Sequence, residues 1–497
     1  MNRDKNLLTV REKSEPWDVV VIGGGATGAG CALDAASRGF SVLLLEQHDF
    51  GKGTSSRSTK LIHGGIRYLR QGNISLVREA LRERGIVLAT APHIVHLQDF
   101  VVPCYSRWQK LFYGAGLRIY DHLAGKLSTG RSRILSREET IRRLPNLKAD
   151  GLRGGVLYSD GQFDDTRLLI DILQTAESHG AIVLNYARAS ALQKSAAGRI
   201  EAVEFIDQET GERLVARARS VINATGVFCD AVRQMSDERA ERVVTYSHGI
   251  HLVLPRDFLP TDTAIMISKT TDGRVLFCIP WQEHLLVGTT DTAIDTASLE
   301  PHALESEIEF VLKTAGEYLE QKPTRDDVLS VFAGTRPLIR SSTQVRTSSL
   351  SRGHDLFVDK SGLITIIGGK WTTYRRMAED AVDKAVEIAG LEYRQCRTET
   401  LSIDPPQVRS GERLYEDLPY TDRDVVRAVS DEMARTVEDV LARRTRVLFL
   451  DAKTAERIAP TVAQIMAAEL GRDELWQQES VKEFARVARG YSVETDS

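Results

Sequence analysis

Uninterrupted apolar runs at residues 19–22 (VVVI) and 42–45 (VLLL) flank a stretch in which apolar positions recur every three to four residues, at Ala29, Leu33 and Ala36. The runs predict strands buried on both faces, and the spaced pattern predicts a helix between them: a parallel βαβ unit. Two later runs, in SVINATG at 220–226 and LITIIGG at 363–369, predict strands ending in residues with little or no side chain. The second leads into a helix whose apolar face is Tyr374, Met377, Ala378, Ala381, Val382, Ala385 and Ala389, with Gly390 as its stop. Parts of one fold near residues 20, 225 and 370 require another unit inserted between them. Beyond Pro405 and Pro406 the pattern is helical. Thr421 and Asp424 form a capping-box start, and Val425, Val426, Val429, Met433, Val437, Val440 and Leu441 share one face. A further helix is expected from about 451 to 471, kinked near Pro460. Nothing in this last region looks catalytic, and it reads as an accessory domain supporting the core.

The turn inside the βαβ unit is Gly23-x-Gly25-x-x-Gly28. Gly23 permits the tight turn, Gly25 lets a pyrophosphate approach the backbone, and Gly28 lets the helix pack closely on the strand. The free N–H groups of the helix N-terminus then face the phosphates. Glu46, ending the second strand, stands where a carboxylate can accept from ribose hydroxyls, which favours a free ribose over a 2′-phosphate. The loop GKGTSSRSTKLIHGGIRYLRQG, residues 51–72, adds hydroxyls, glycines and cations suited to wrapping a phosphate-bearing cofactor. The helix that follows Gly369 could stabilise negative charge on a reduced ring system.

Composition narrows the class. A chain of 497 residues that is 42% hydrophobic can bury two or three domains, and a net charge of −4 gives no reason to expect nucleic acid as a partner. The five cysteines (Cys31, Cys104, Cys229, Cys278, Cys396) are scattered and odd in number, which suits a reducing cytosol better than a disulfide framework or a zinc site, and no metal is expected. The N-terminus has no signal-type apolar stretch, and no segment approaches the roughly 20 apolar residues of a membrane span.

The motifs IGGGATGAG, TSSRSTKLIHGGIRYL, YSDGQFDDTRL, NATGVF, GIHLVLP, FCIPW, GTTDT, GTRPLI and GGKWTTYR occur in that order. By them the chain resembles the FAD-dependent, quinone-linked glycerol-3-phosphate dehydrogenases over nearly its whole length. The resemblance implies an α/β fold: a glutathione-reductase-like, Rossmann-type FAD-binding domain with an inserted, mostly antiparallel β-sheet substrate domain and an α-helical C-terminal domain. FAD-binding parts are expected at about 15–75, 150–235 and 355–390, substrate-domain parts at about 76–149 and 236–354, and the helical domain at 391–497. Expected cofactor contacts are Gly23, Gly25, Gly28, Glu46, Thr54, Ser55, Lys60, Leu61, His63, Gly226 and Gly369.

Oxidising the C2 alcohol of sn-glycerol 3-phosphate to dihydroxyacetone phosphate needs a hydride acceptor, a base for the hydroxyl proton and cations for the phosphate. The phosphate is assigned to Arg336 and Lys370, with Arg67, Tyr68 and Thr372 adding contacts. His251, which matches a family histidine near the flavin, is the expected base. It could instead only orient a neighbour, and Arg67 is the other catalytic candidate, placed to stabilise a developing alkoxide. His248 stands where the family pattern suggests lysine or glutamine.

Electron exit is less local. Trp108, Leu111, Phe112, Ala115, Ile119 and Leu123 fall at helical spacing in a basic region, 105–145. The stripe could face the core, or dock on an anionic membrane where a quinone collects electrons. The family's peripheral membrane behaviour favours docking, on the inner face of the cytoplasmic membrane. Alternatives to quinone reduction are an oxidase that passes electrons to oxygen and makes hydrogen peroxide, oxidation of a hydroxy or amino acid, and a non-catalytic flavin-binding redox sensor. Oligomeric state stays open, a homodimer included.

Overall fold

The apolar runs become the centre of a mainly parallel sheet. The computed structural model describes residues 1–65, 73–125, 130–268, 270, 273–340, 353–407, 410–416 and 418–493. The strands lie in the order His354–Val358, Leu363–Gly368, Arg213–Asn223, Trp17–Ile22, Val42–Leu45, Ile182–Leu184, and only the first joins its neighbour antiparallel. Val20 pairs with both Val221 and Leu43. Alternate residues serve two cores. Val19, Val21, Leu44 and Ile222 pack under the helices Ala26–Ser37, Asp165–Ser178 and Tyr374–Ala389. Val20, Leu43 and Val221 face the helix Arg3–Glu12 and an antiparallel flap of Ala187–Lys194 and Ile200–Asp207. The parallel strands end together at one edge, at Gly23, Glu46, Ala224 and Gly369, where an open α/β sheet binds its ligand.

The inserted unit is a ten-stranded sheet, antiparallel except where Ala264–Ile267 runs parallel to Val95–Cys104. The strand Gly154–Phe163, expected in the FAD-binding part, pairs here along all of Val95–Cys104. It belongs to this sheet because its partner, rather than its own sequence, sets its place. The long strand Val244–Pro255 carries the site. It pairs with Ser330–Ile339, so that Ser247 opposes Arg336 and His251 opposes Phe332. Ile250, Leu252 and Leu254 face the helix Glu305–Tyr318, while Val253 and Phe332 face the C-terminal helices.

The C-terminal region departs from the single long helix expected after Thr421. The helix Asp422–Ser430 stops, Met433 takes a left-handed φ of 58°, and a wide turn follows at Asp439–Arg444, where Thr445 N bonds Val440 O. An apolar stripe survives such a break because each piece still buries its own face. Pro460 lies inside an unbroken helix, Ala452–Leu470, and a last helix, Glu474–Ala488, was not foreseen. Among the described residues no helix is long and apolar enough to cross a membrane.

Candidate active site

A cavity of about 480 Å³ runs from the ends of the parallel strands to the inserted sheet. Its first end is shaped by what cannot be there. A Cβ on Gly23, at φ 111°, would lie 2.7 Å from Ala224 O, and one on Gly28 would lie 1.8 Å from Gly23 O. Gly28 is therefore a packing residue off the cavity wall, while Gly23 and Gly25 line it. Gly25 is the cap of the helix Ala26–Ser37 and has no side chain to occupy its first-turn N–H groups. Ser55 Oγ accepts from Ala26 N at 3.0 Å, tying the following loop to the helix start. Glu46 lines the cavity, and its carboxylate accepts from Gly24 N at 2.7 Å and His48 N at 2.8 Å. Burial pushes its pKa up against these bonds, and they fix both oxygens at the cavity wall.

Thr54, Leu61, His63, Gly226 and Gly369 also line the wall. Thr54 Oγ1 donates to Thr335 O at 2.6 Å, and Trp371 Nε1 donates to Ser55 O at 2.8 Å, so the loop is held from both sheets. Lys60 is a correction: its side chain is fully buried behind the cavity, with Nζ 2.6 Å from Asp165 Oδ2 and 2.7 Å from Ser56 O. Lys60 has a left-handed φ of 61°, which turns it out of the line of its loop neighbours. Burial and the Arg446 charge push its ammonium down to about 7.

Arg336, Lys370, Thr372 and His251 line the same cavity. Arg336 Nη2 donates to Thr289 Oγ1 at 3.0 Å and Nη1 to Ser247 Oγ at 3.4 Å, with Asp291 at 3.8 Å. Its fork lies over Gly249, where a Cβ would meet Nη2 at 2.3 Å. The Thr372 hydroxyl accepts from His63 N at 3.1 Å and donates to His63 O at 3.2 Å, so its first task is to hold the His63 backbone. Arg67 and Tyr68 lie outside the described residues.

His251 is 2% exposed and stacks on Phe332 at 5.0 Å with 18° between the planes. Its Nε2 is 2.9 Å from Thr59 Oγ1, and Nδ1 has no hydrogen-bond partner among the described residues. Burial, then the Lys60 and Arg336 charges, push the imidazole well below its ordinary range. The ring is neutral at pH 7 and can accept a proton. Two partners escaped the sequence reading, Thr59 and Thr289; both lie in motifs that were noted, TSSRSTK and GTTDT, but their roles depend on strands 192 and 47 residues away.

Residues 18–375 match the family model of FAD dependent oxidoreductases, and residues 366–478 match the C-terminal domain of alpha-glycerophosphate oxidase. A probable mitochondrial glycerol-3-phosphate dehydrogenase from Caenorhabditis elegans is 38% identical over 98% of this chain and 76% of its own. The chain belongs to the FAD-dependent glycerol-3-phosphate dehydrogenase family. The human mitochondrial glycerol-3-phosphate dehydrogenase is 36% identical over the whole of this chain and 76% of its own. A glycerol-3-phosphate dehydrogenase from Bacillus halodurans, solved in complex with FAD, superposes with a TM-score of 0.79 at 28% identity, covering 99% of each chain. The cofactor is FAD, and the glycine cradle, the glycine-capped helix start and the oriented Glu46 carboxylate fit its pyrophosphate and ribose.

Proposed function

We propose that the protein oxidises sn-glycerol 3-phosphate at C2 to dihydroxyacetone phosphate and passes the electrons from FAD to a membrane quinone. The observation that carries the reading is the convergence of Arg336, Lys370 and a neutral His251 on one cavity with the FAD cradle. The mitochondrial relatives, similar along the whole chain, support the same substrate.

Bound FAD supplies the hydride acceptor. The protein binds, orients and moves a proton. Arg336 and Lys370 neutralise the phosphate, and Thr289 and Ser247 hold the Arg336 fork toward it. His251 takes the proton of the C2 hydroxyl as its hydride leaves, so that the alcohol loses two electrons and two hydrogens. Phe332 beneath the ring and Thr59 at Nε2 fix its orientation. The low basicity set by burial keeps the ring unprotonated before substrate arrives.

The helix Arg107–Ala124 supports peripheral docking on a membrane. Trp108, Leu111, Phe112 and Ile119 stand between 52% and 82% exposed on its outer face, so these four side chains are turned away from the core, while Leu123 packs against it. Arg107, Lys110 and Arg118 flank it, as an anionic surface would require.

The test is anaerobic addition of sn-glycerol 3-phosphate with oxidised-flavin absorbance as the readout, followed by quinone or oxygen in separate aliquots. Bleaching, with much faster reoxidation by quinone, is expected. Absence of bleaching would overturn the substrate, and rapid peroxide formation would overturn the acceptor. Arg336→Leu should keep its flavin and raise KM roughly ten- to a hundredfold, the worth of one charge-assisted contact.

A further inference from the structure

The segment that holds Arg336 is itself held from outside the cavity. Residues 288–292 run from the strand His284–Gly288 to the strand Thr292–Ile294, beside the strand that carries His248 and His251, with Gly288 opposite His251 and Thr292 opposite His248. Their side chains alternate. Thr289 and Asp291 turn to the cavity face, where Thr289 Oγ1 accepts from Arg336 and Asp291 faces both Arg336 and the Ser247 hydroxyl. Thr290 and Thr292 turn the other way, and both hydroxyls donate to one oxygen of Glu307, at 2.6 and 2.7 Å. Thr290 Oγ1 also accepts from Ile250 N at 3.0 Å. Glu307, near the start of the helix Glu305–Tyr318, is 4% exposed and does not line the cavity; its second oxygen faces Leu304 N at 3.3 Å and His248 Nδ1 at 3.5 Å.

We infer that Glu307 is a positioning residue for the reaction: through Thr290 and Thr292 it fixes the register of residues 289–291, and so fixes where Arg336 presents its charge. The inference rests on Arg336 being the phosphate cation. A buried carboxylate that collects two hydroxyls of one extended segment pins that segment against sliding. A slip of one residue would exchange the two faces and carry Thr289 and Asp291 away from the guanidinium. An apolar side chain at 307 would leave both hydroxyls buried without their acceptor, and they would find new partners by moving the segment.

The test compares Glu307→Leu, Glu307→Gln and Thr290→Val in full-length, FAD-loaded protein, with rates normalised to bound flavin. Glu307→Leu is expected to raise KM for sn-glycerol 3-phosphate about tenfold, with a smaller effect on kcat, because misplacing a binding cation costs affinity first. Thr290→Val, which keeps shape and removes one of the two bonds, should raise KM about threefold. Glu307→Gln should stay within about twofold, since the amide oxygen can still accept both hydroxyls. In an Arg336→Leu background, Thr290→Val should add nothing. If Arg336→Leu raises KM while Thr290→Val and Glu307→Leu leave it unchanged, or if the effects simply add, Glu307 is structural and the inference is wrong. If Arg336→Leu leaves KM unchanged, the phosphate reading itself has failed and this inference falls with it. Should Glu307→Leu not fold, Thr290→Val alone and in the Arg336→Leu background decides.

Discussion

Asp49 should be among the most costly carboxylates to remove, although it touches no ligand. It is fully buried in the turn after Glu46 and accepts from Arg443 Nε at 2.5 Å and from Arg444 Nη1 and Nη2 at 2.8 and 2.9 Å. Asp49→Asn would leave two buried guanidinium groups short of one negative charge. Removing one partner of a buried pair costs about 3 to 5 kcal/mol. Arg443 keeps Glu438 and Asp439, at 2.7 and 2.6 Å, and Arg444 keeps Glu432 O at 2.7 Å, so the expected loss is near the lower end, about 3 kcal/mol. Burial alone would push the Asp49 carboxyl up, but Arg444 and Arg443 outweigh it and hold the group well below the usual carboxylate range. With the folded value depressed, this contribution is present above pH 4, about the unfolded pKa, and is lost as pH falls through the folded one. The assay is urea unfolding at pH 7, followed by far-UV circular dichroism and by the fluorescence of released flavin. Asp49→Asn should unfold earlier by both probes, and the double variant Asp49→Asn/Arg443→Met should lose less than the sum of its singles. A single variant within about 1 kcal/mol of the parent, the level of a surface pair, would refute the reasoning.

His251→Asn should keep FAD and lose about 10²- to 10⁴-fold in kcat, as removal of a general base does; a loss of less than fivefold would leave the ring an orienting role only. Because its folded pKa lies well below the ordinary 6.5, the parent's kcat/KM should not fall as pH passes through 6.5 and should fall only in more acid solution. The unfolded ring takes up a proton first as pH falls through 6.5, so parent stability should decline below that pH, and His251→Asn should decline less over the same window. Trp108→Glu/Phe112→Glu should abolish sedimentation with anionic phospholipid vesicles while leaving anaerobic flavin bleaching at the parental rate; unchanged sedimentation would remove the helix Arg107–Ala124 as the docking surface.

What could be read along the chain was whatever local backbone chemistry demands. The Gly23 turn, the helix stop at Gly390 and the parallel-strand runs each depend on a handful of neighbouring residues, and each lies where expected. The contacts that tune the chemistry are not local. Thr59 meets His251 across 192 positions, and only the pairing of two strands places Arg336 beside Ser247. Lys60 shows the limit most clearly. A lysine in a loop rich in glycines and hydroxyls reads as a cofactor contact, yet its left-handed backbone sends the side chain inward to Asp165.

The C-terminal region was misjudged for a related reason. Helical periodicity assigns charged positions to solvent, but Arg443, Arg444 and Arg446 are at most 4% exposed and point into the oxidoreductase core. Arg446 donates to Thr166 Oγ1 and Ser56 O at 2.9 Å and lies 3.3 Å from Asp165, the carboxylate that holds Lys60. Phe449, three residues on, packs against Phe332 at 4.8 Å, and Phe332 carries the His251 ring. The region therefore meets the site from behind, by an aromatic stack under the imidazole and by a cluster in which two cations share one carboxylate. Burial first, and then the Lys60 charge in that cluster and Arg336, push the His251 imidazole down. A region that contributes none of the described lining residues thus packs, through Phe449 and Arg446, against the Phe332 ring and the Asp165–Lys60 pair that stand behind His251.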